Sequence, residues 1–506
     1  MTDASPLRSV VLEDARTLAD YAAVPHLAPA VHELQAEAAG VLPRLAGRTV
    51  WMVSSTARGG GVAEMLPPIV GLLRDLGVRI EWVVIGTDEP GFFVLTKRLH
   101  NLIHGVAEPP LDRAARALFE RVNRASADAL RPLLRPGDVL VVHDPQPLPM
   151  AAMLRETVPL AAIWRSHIGL DTENDATRAA WDFLAPYLDA YDHAVFSAPE
   201  YIPRRLAGRA TVIAPGIDPL APKNMELSLR HTVEVLCNGG LAVPPGPMLH
   251  PPFPASARRL LADGTFAPAN TVEDIGLLTR PIVTQISRWD RLKGWRPLMD
   301  AFVALKESVF DGAGAAGPRH RRRLDLVRLV LAGPEPEAIQ DDPEGLEVLD
   351  ELRQAYAALH PAVQDDIALV ALPMASLEQN ALLVNALQRA STLVVQNSLR
   401  EGFGLTITEA MWKRVPVLSN SRACGPRQQL RDGLDGRLIP DPEDVDGLRQ
   451  ALDEVLADSD ARHRYGGSAQ RRVHELFIVI AQLRRWGQLF AALPPLAPTS
   501  LADETP

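Results

Sequence analysis

The chain has 506 residues, of which 47% are hydrophobic and 23% charged, a composition typical of a globular protein of about two to four domains. Its net charge of −10 excludes the basic surface of a nucleic-acid-binding protein, and no apolar run is long enough to span a membrane. The two cysteines, Cys237 and Cys424, lie outside any C-x-x-C pattern and predict neither a disulfide framework nor a zinc site. The first residues lack the apolar core of a signal peptide. We therefore expect a cytoplasmic protein without nucleic-acid partner, membrane span or bound metal.

The first half of the chain alternates between apolar strands and helical stretches. Strands are predicted at 48–54, 78–85, 138–143 and 161–165, with an amphipathic helix at 62–76. Strands that alternate with helices are typical of a parallel, doubly wound sheet. The pattern predicts an N-terminal α/β domain over residues 1–215.

The same alternation restarts in the second half. Apolar runs at 281–287, 325–332, 367–372 and 393–396 are each followed by a turn and a helical stretch. They predict a second α/β domain over residues 216–467. A last helical stretch, 468–493, carries five large apolar residues on one face, and residues 494–506 are predicted to be disordered.

Two segments are predicted to be insertions. Residues 238–280 are rich in Pro, Gly and Ala, and residues 311–323 form a glycine-rich stretch with a basic end. Long loops are either functional or tolerated excursions, because lengthening a loop costs little entropy. The prolines of 238–280 disfavour regular structure, and its apolar residues suggest docking beside the site, where it would narrow acceptor choice. Both interpretations stay open.

The most informative segment is 400–411, where a glycine turn joins a predicted strand to a predicted helix. Backbone N–H groups of Gly404, Leu405 and Thr406 would point at an anion, which the helix dipole also favours. Because a carboxylate would repel that anion, Glu401 is better placed to accept hydrogen bonds from hydroxyls. With Glu409 one turn into the helix, the segment predicts a nucleotide-sugar site. An ordinary βα unit with exposed glutamates is the alternative.

A pair of cations follows the strand predicted at 281–287. Arg288 and Lys293 are five positions apart with a turn between them. Both could bind one diphosphate, the arginine through paired N–H donors of its planar guanidinium and the lysine through its compact positive charge. A solvated turn is the alternative.

Further polar residues follow strands of the first domain, where open α/β sheets bind ligands. The glycines of residues 59–61, including Gly60 and Gly61, let a ligand approach the backbone closely. Asp144 and Gln146 follow the third strand, and His167 follows the fourth. A histidine at a strand end is also common as a structural residue.

These segments resemble the retaining glycosyltransferases of family four. The resemblance rests on E-G-F-G-L-x-x-x-E-A from Glu401 and S-R-W-D-x-x-K-G from Ser287. H-D-P-Q-P-L-P from His143 and W-R-x-H-I from Trp164 resemble one subgroup, the trehalose glycosyltransferring synthases and retaining trehalose phosphorylases, as do residues 93–105, 218–224 and 384–391. The chain departs from this subgroup at Ser166 and Gly169, where Cys and Asp are usual, and at 422–426, which replace a G-G-I turn.

The resemblance implies a GT-B fold, in which two Rossmann-like doubly wound domains face each other across a cleft and a terminal helix crosses back onto the first domain. It also implies that His167 binds the 6-hydroxyl region of the donor sugar, Glu401 its 3- and 4-hydroxyls, and Glu409 the ribose. Arg288 and Lys293 would neutralise the departing diphosphate. The loop of Gly60 and Gly61, with Asp144 and Gln146, would lie on the acceptor side.

The implied reaction transfers glucose from ADP-, UDP- or GDP-glucose to a sugar acceptor with retention, most specifically to glucose, forming trehalose. No cofactor is expected, and no D-x-D sequence stands at a strand end to hold a metal. A retaining trehalose phosphorylase is the alternative enzyme, and a non-catalytic sugar-nucleotide-binding or scaffold protein is the alternative of another class. The oligomeric state stays open between a monomer and a homodimer.

Overall fold

The computed structural model describes residues 5–13, 15–57, 61–244, 246–270, 274–310, 317–339 and 343–493. The chain divides into two compact units. Unit 1 comprises Met1–Gly216 and Leu476–Pro506, and unit 2 comprises Ile217–Glu475. Within the described ranges, no helix combines the length and the apolarity needed to cross a membrane.

Unit 1 is built on a mostly parallel sheet with the strand order β1-β3-β2-β4-β5-β6-β7. Only β1 runs antiparallel, against β3. Every residue of β2, β4 and β5 is buried, as expected for parallel strands covered on both faces. The strands are β1 (Leu7–Ser9), β2 (Val50–Ser54), β3 (Ile80–Ile85), β4 (Val139–His143), β5 (Ala161–Arg165), β6 (His193–Phe196) and β7 (Ala210–Val212).

Helices cover this sheet. They are α1 (Leu18–Ala22), α2 (Ala28–Leu45), α3 (Gly61–Asp75), α4 (Pro90–Ile103), α5 (Arg113–Leu130), α6 (Met150–Arg155), α7 (Asp175–Leu188) and the last helix of the described residues, α18 (Val479–Ala491). Helix α18 packs on α2, where Arg484 contacts Glu33 and Glu37. The chain therefore returns to unit 1 after completing unit 2.

Unit 2 is built on a second sheet with the order β15-β14-β13-β10-β11-β12-β8-β9. Its strands are β8 (Arg258–Leu260), β9 (Phe266–Pro268), β10 (Ile282–Ile286), β11 (Arg328–Pro334), β12 (Ile367–Leu372), β13 (Leu393–Gln396), β14 (Val417–Asn420) and β15 (Arg437–Ile439). Leu329 and Leu331 of β11 lie in one apolar core, and Val330 and Ala332 lie in the other. Since successive side chains of a strand point to opposite faces, both faces of the sheet are buried.

The helices of unit 2 are α8 (Leu229–Asn238), α9 (Trp295–Phe310), α10 (Pro318–Leu326), α11 (Pro343–Ala357), α12 (Pro361–Gln364), α13 (Leu377–Ala390), α14 (Leu405–Trp412), α15 (Cys424–Gln429), α16 (Val445–Ala457) and α17 (Ser459–Leu476). Where the sequence predicted one helical stretch at 468–493, the structure has two helices, α17 and α18. Phe477 and Ile478 separate them, and Ile478 is extended, with φ −96° and ψ 157°.

The insertion at 238–280 is more regular than the sequence predicted. Its strands β8 and β9 form an antiparallel hairpin, and β8 pairs with β12 at the edge of the sheet. Pro268 ends β9, the outermost strand, where a missing N–H is tolerated. Met248 and Phe253 pack against the core that contains Leu383.

The second insertion also differs from the expected loop. Residues 311–316 lie outside the described ranges, but the basic end forms helix α10 with Pro318 at its first position. Proline is favoured there because the first N–H groups of a helix have no intrahelical acceptor.

Candidate functional site

A largely buried ion pair lies between two strand ends of unit 2. Lys293 Nζ lies 2.7 Å from Glu401 Oε2, and the two side chains are 15% and 14% exposed. Lys293 follows β10 and Glu401 follows β13, neighbouring parallel strands whose carboxyl ends meet at one edge of the sheet. The cation and the carboxylate predicted from separate motifs are therefore in direct contact.

A short turn fixes the position of Lys293. Asp290 caps the 3₁₀ helix Arg291–Lys293 by accepting from the Leu292 N–H over 2.8 Å. Gln285 Nε2 donates to the Lys293 carbonyl over 2.9 Å. Gly294 then adopts φ 60°, and a Cβ there would lie 2.1 Å from the Asn397 carbonyl oxygen. Only glycine fits this turn, which brings Lys293 close to the segment after β13.

Glu401 is held as an acceptor. Ser398 Oγ donates to Glu401 Oε2 over 3.0 Å, in addition to the bond from Lys293. Burial opposes ionisation of the carboxyl, but the charge and hydrogen bond of Lys293, the Ser398 bond and the charge of Arg288 lower its pKa below the ordinary value. An ionised carboxylate only accepts hydrogen bonds, so this group suits hydroxyl donors.

Arg288 differs from Lys293 in exposure. Its side chain is 73% exposed, with Nη2 3.5 Å from Asp290 Oδ2. Its backbone is anchored, since Trp295 Nε1 donates to the Arg288 carbonyl over 3.3 Å and the next residue, Trp289, is fully buried. The guanidinium therefore has room to meet an incoming anion.

The glycine turn after Glu401 opens helix α14. Gly404 is its N-cap in the left-handed region, with φ 82°. The N–H groups of Leu405 and Thr406 lie in the first turn, where a helix offers them no acceptor. Gln429 Nε2 contacts the carbonyl oxygens of Phe403 and Gly404, which fixes the turn. This geometry suits an anion at the helix N-terminus.

Glu409 lies further along α14, on a buried face. The residue is 5% exposed, and its Oε1 lies 3.7 Å from Lys223 Nζ. Lys413, one turn later, donates to the Glu409 carbonyl over 3.1 Å. Burial lowers the pKa of Lys413 to about 7, against the opposing charge of Glu409. Two lysines therefore flank this carboxylate position.

The replacement of the G-G-I turn at 422–426 is compatible with an intact helix start. Residues Cys424–Gln429 form α15, so Pro426 lies in its first turn. An N–H at that position would have no intrahelical acceptor, and its loss costs no helical hydrogen bond.

In unit 1, Asp144 and His167 meet at the ends of β4 and β5. Asp144 Oδ1 accepts from the His167 N–H over 2.8 Å. The Asp144 backbone adopts φ 63°, held there because its N–H donates to the Arg165 carbonyl over 2.7 Å and its carbonyl accepts from Trp164 Nε1 over 3.0 Å. Burial raises the pKa of Asp144 to about 6, against the opposing effects of the His167 N–H and Arg165.

His143 and His167 form a chain that ends at Met52. His143 Nε2 lies 3.2 Å from Met52 Sδ, and His143 Nδ1 lies 3.1 Å from His167 Nε2. Thioether sulfur only accepts, so Nε2 of His143 carries its proton. In the neutral ring Nδ1 then accepts, and His167 Nε2 must donate. The contacts therefore assign a lone pair to His167 Nδ1, which is buried without a hydrogen-bond partner.

Both rings are held neutral. Burial, followed by the charge of Arg165, lowers the pKa of His143 to about 3. The same causes, with His143, lower the pKa of His167 well below the ordinary value. Arg165 is fully buried and donates to Ser197 Oγ over 3.3 Å. This histidine pair is suited to hydrogen bonding rather than to carrying charge.

The structure describes only some of the remaining residues that were predicted for the acceptor side. Gln146 lies just after β4, and its Oε1 is buried without a hydrogen-bond partner. Gly61 begins α3, and Gly60 lies outside the described residues. At Gly169, where the subgroup has Asp, a Cβ would lie 2.3 Å from Tyr201 Cγ. Tyr201 therefore occupies the space that the aspartate would need.

Sequence reasoning missed four residues that shape these sites: Ser398, Lys223, Arg165 and Met52. Ser398 adjoins a motif, and Arg165 and Lys223 each lie inside one, so closer attention to these segments could have found them. Nothing in the sequence marks Met52 as a site residue, because it resembles the other apolar core residues of β2. Among the described residues, no group of three or more His, Cys, Asp or Glu side chains is arranged to hold a metal ion.

Comparison with known proteins identifies the class. Residues 52–203 match the family model "Trehalose synthase, N-terminal domain", and residues 377–472 match "Glycosyl transferases group 1". A solved structure of an α,α-trehalose-phosphate synthase (UDP-forming) from Burkholderia vietnamiensis superposes with a TM-score of 0.61 at 19% identity, covering 88% of this chain and 99% of that one. The chain is a glycosyltransferase with the GT-B fold, which confirms the expected fold class.

The family follows from the sequence relatives. The chain is 33% identical over 437 residues to a trehalose synthase of Thermococcus litoralis, a match that covers 86% of this chain and 88% of that protein. It belongs to the trehalose synthase family, as its motifs predicted. A trehalose phosphorylase of Grifola frondosa is 24% identical over 86% of this chain but only 55% of its own length.

Proposed function

We propose that this glycosyltransferase moves glucose from a nucleoside diphosphate glucose to a sugar acceptor, most specifically to glucose, and so forms trehalose with retention at the anomeric carbon. The observation that carries the proposal is the contact between Lys293 Nζ and Glu401 Oε2 at 2.7 Å. This contact supports the proposal because it joins the cation assigned to phosphate and the carboxylate assigned to sugar hydroxyls, next to the N-terminus of α14. A nucleotide sugar presents both groups within one molecule.

The donor is held by charge and by hydrogen bonds. Lys293, Arg288 and the first N–H groups of α14, from Gly404 to Thr406, receive the diphosphate, whose negative charge grows as the glycosidic bond breaks. Glu401 accepts from the 3- and 4-hydroxyls of the glucosyl group because its lowered pKa keeps it ionised. Glu409 accepts from the ribose.

Transfer needs no nucleophile from the protein. The acceptor hydroxyl oxygen bonds to the anomeric carbon on the face that the diphosphate leaves. The electron pair of the breaking C–O bond goes to the phosphate oxygen, which takes the proton of the attacking hydroxyl. Configuration is retained because the new bond forms on the side of the old one.

Residues of unit 1 complete the proposal. His167 binds at the 6-hydroxyl of the donor glucose as a neutral ring, since its pKa is far below the ordinary value. Asp144 supports it through the 2.8 Å bond to the His167 N–H. Gly60, Gly61, Asp144 and Gln146 are assigned to the acceptor side.

A retaining trehalose phosphorylase is the second candidate, supported by the match to the Grifola frondosa enzyme. That reaction transfers one glucosyl group of trehalose to inorganic phosphate, giving glucose 1-phosphate, and releases the other sugar as glucose. Phosphate would take the position assigned to the diphosphate, beside Arg288 and Lys293.

One set of incubations tests both candidates. The purified protein is mixed with glucose and ADP-, UDP- or GDP-glucose, and separately with trehalose and either phosphate, ADP or UDP. We expect trehalose from a nucleotide donor and glucose, identified by NMR, and breakdown of trehalose only with a nucleoside diphosphate. Breakdown with phosphate would establish the phosphorylase instead. Absence of turnover in every mixture would favour a non-catalytic binding protein.

A further inference from the structure

Two segments that the proposed chemistry leaves without a role, 218–224 and 384–391, meet in unit 2. Asn385 Nδ2 donates to the carbonyl oxygens of Pro222 and Met225, each over 2.9 Å. Arg389 Nη2 donates to the Met225 carbonyl over 3.1 Å, and Arg389 Nε donates to Asn385 Oδ1 over 2.9 Å. Asn385 and Arg389 of α13 thus clamp the backbone on both sides of Lys223.

Helix α14 holds the same segment from another direction. Trp412 Nε1 donates to the Asn224 carbonyl over 3.1 Å, and Lys413 Nζ lies 3.4 Å from Asn224 Oδ1. Asn224 Nδ2 donates back to the Asp218 carbonyl over 3.0 Å. Because Asn224 is 4% exposed and its carbonyl and both side-chain polar atoms are bonded, the backbone next to Lys223 is fixed against α14.

These contacts place the Lys223 ammonium beside the Glu409 carboxylate. The distance from Nζ to Oε1 is 3.7 Å, and the two side chains are 26% and 7% exposed. The other nearby cation, Lys413, bonds the Glu409 carbonyl rather than its carboxylate. Lys413 also has a pKa lowered to about 7 by burial, with Arg389 and Lys223 contributing. Lys223 is therefore the cation placed to set the direction of the Glu409 carboxylate.

We propose that Lys223, held by Asn385 and Arg389, is a positioning residue that aims the Glu409 carboxylate at the vicinal hydroxyls of the donor ribose and so sets the preference for a ribonucleotide. The inference rests on the proposed function, in which Glu409 binds the ribose. A carboxylate accepts from two adjacent hydroxyls only in a narrow range of orientations. Without the Lys223 cation, the Glu409 carboxylate can rotate out of that orientation and loses its ion-pair partner in a buried position.

Binding measurements test this role without relying on turnover. The dissociation constants of ADP, UDP and GDP are compared with those of their 2′,3′-dideoxy forms by calorimetry on the full chain. Hydrogen bonds to a charged group predict that the wild type prefers the ribose form of the nucleotide it binds by about tenfold or more. Lys223→Met should weaken binding of the ribose form and leave that of the dideoxy form unchanged, so that the preference is lost. Lys223→Arg, which keeps the charge, should retain most of it.

Two further variants separate positioning from general charge and from folding. Arg296→Met removes an exposed cation of the same unit, ion-paired with Asp300 over 2.8 Å, and should change neither constant. Asn385→Ala leaves Lys223 in place but removes two of the clamping bonds, and should reduce the ribose preference. The melting temperature of each variant is measured, and Lys223→Gln replaces Lys223→Met if that variant unfolds.

Each result has a defined meaning. A Lys223→Met variant that keeps the ribose preference, or that loses affinity equally for both forms, overturns the positioning role. A wild type that binds nucleoside diphosphates without preferring ribose overturns the role of Glu409 and this inference, but leaves the proposed transfer intact. A wild type that binds none of the nucleotides overturns the proposed function together with the inference.

Discussion

Lys293 and Glu401 are bonded through Nζ and Oε2 at 2.7 Å although 108 positions separate them in the sequence. The bond joins two strand ends, those of β10 and β13, whose motifs each carry half of the proposed nucleotide-sugar site. It also orients both groups, and Ser398 adds a second bond to the same carboxylate oxygen. A pre-aligned pair loses less side-chain freedom on binding than two independent side chains would.

Lys293→Ala should lower kcat by more than it raises the KM for the donor. In the proposed reaction, the negative charge that Lys293 contacts grows as the diphosphate leaves, so the contact is stronger in the transition state than in the ground state. Removing one such contact typically costs about 2.7–4 kcal/mol of transition-state stabilisation. Steady-state kinetics measure the changes in kcat and in the donor KM separately, with Arg296→Ala as a matched control for loss of a cation. An unchanged kcat would place Lys293 outside the site.

Activity should survive EDTA. In the proposed reaction, Arg288, Lys293 and the first turn of α14 supply the positive charge that a divalent ion would otherwise provide. The measurement is turnover after dialysis against chelator, with and without added Mg²⁺ or Mn²⁺. Complete loss with EDTA that either ion restores would contradict metal-independent transfer.

The rings of His143 and His167 should not titrate between pH 5 and 8. Their folded-state pKa values are lowered, to about 3 for His143, while the unfolded values remain near the ordinary 6.5. As the pH falls through 6.5, the unfolded chain therefore takes up protons that the folded one does not, and these two residues reduce stability. Nitrogen-15 NMR measures the protonation and the tautomer of each ring.

The NMR spectrum also tests the tautomer assignment. The contact of His143 Nε2 with Met52 Sδ requires a proton on Nε2 of His143. The contact between the two rings then requires a proton on Nε2 of His167. In Met52→Leu the sulfur acceptor is lost, so the tautomers should become mixed while the fold is kept. A charged ring at pH 6, or a proton on Nδ1 of His167 in the wild type, would contradict the assignment.

The sequence predicted those features whose signal is local. The strands β10 and β13, the turns that follow them and the N-terminus of α14 are visible because strand periodicity and glycine positions occur within a few residues. The contacts of Lys223 with Glu409 and of Met52 with His143 join distant positions, and no periodicity reports them. The hairpin β8–β9 was missed for a related reason. Its strands have three residues each, too few to show an alternation, and they are stabilised by pairing with β12.

The structure also changes what is expected of the insertion 238–280. In the sheet, β11 and β12 separate β8 from β10, the strand that delivers Lys293. At about 4.8 Å per strand, β8 lies about 14 Å from β10. Leu260 of β8 is 1% exposed and belongs to the same core as Leu329 and Leu369. These positions favour a structural role for the hairpin over a direct effect on acceptor choice.

Leu260→Ala should therefore destabilise the protein without changing its kinetics. Truncating a buried leucine removes apolar contacts and leaves a cavity, at a cost of about 2–5 kcal/mol in the free energy of unfolding. Leu249→Ala, in the same insertion but 74% exposed, is the matched control and should change the stability little. Denaturant unfolding measures both, and donor and acceptor KM values are taken at a temperature where each variant is folded. A folded Leu260→Ala variant with an altered acceptor KM would restore the interpretation that this insertion narrows acceptor choice.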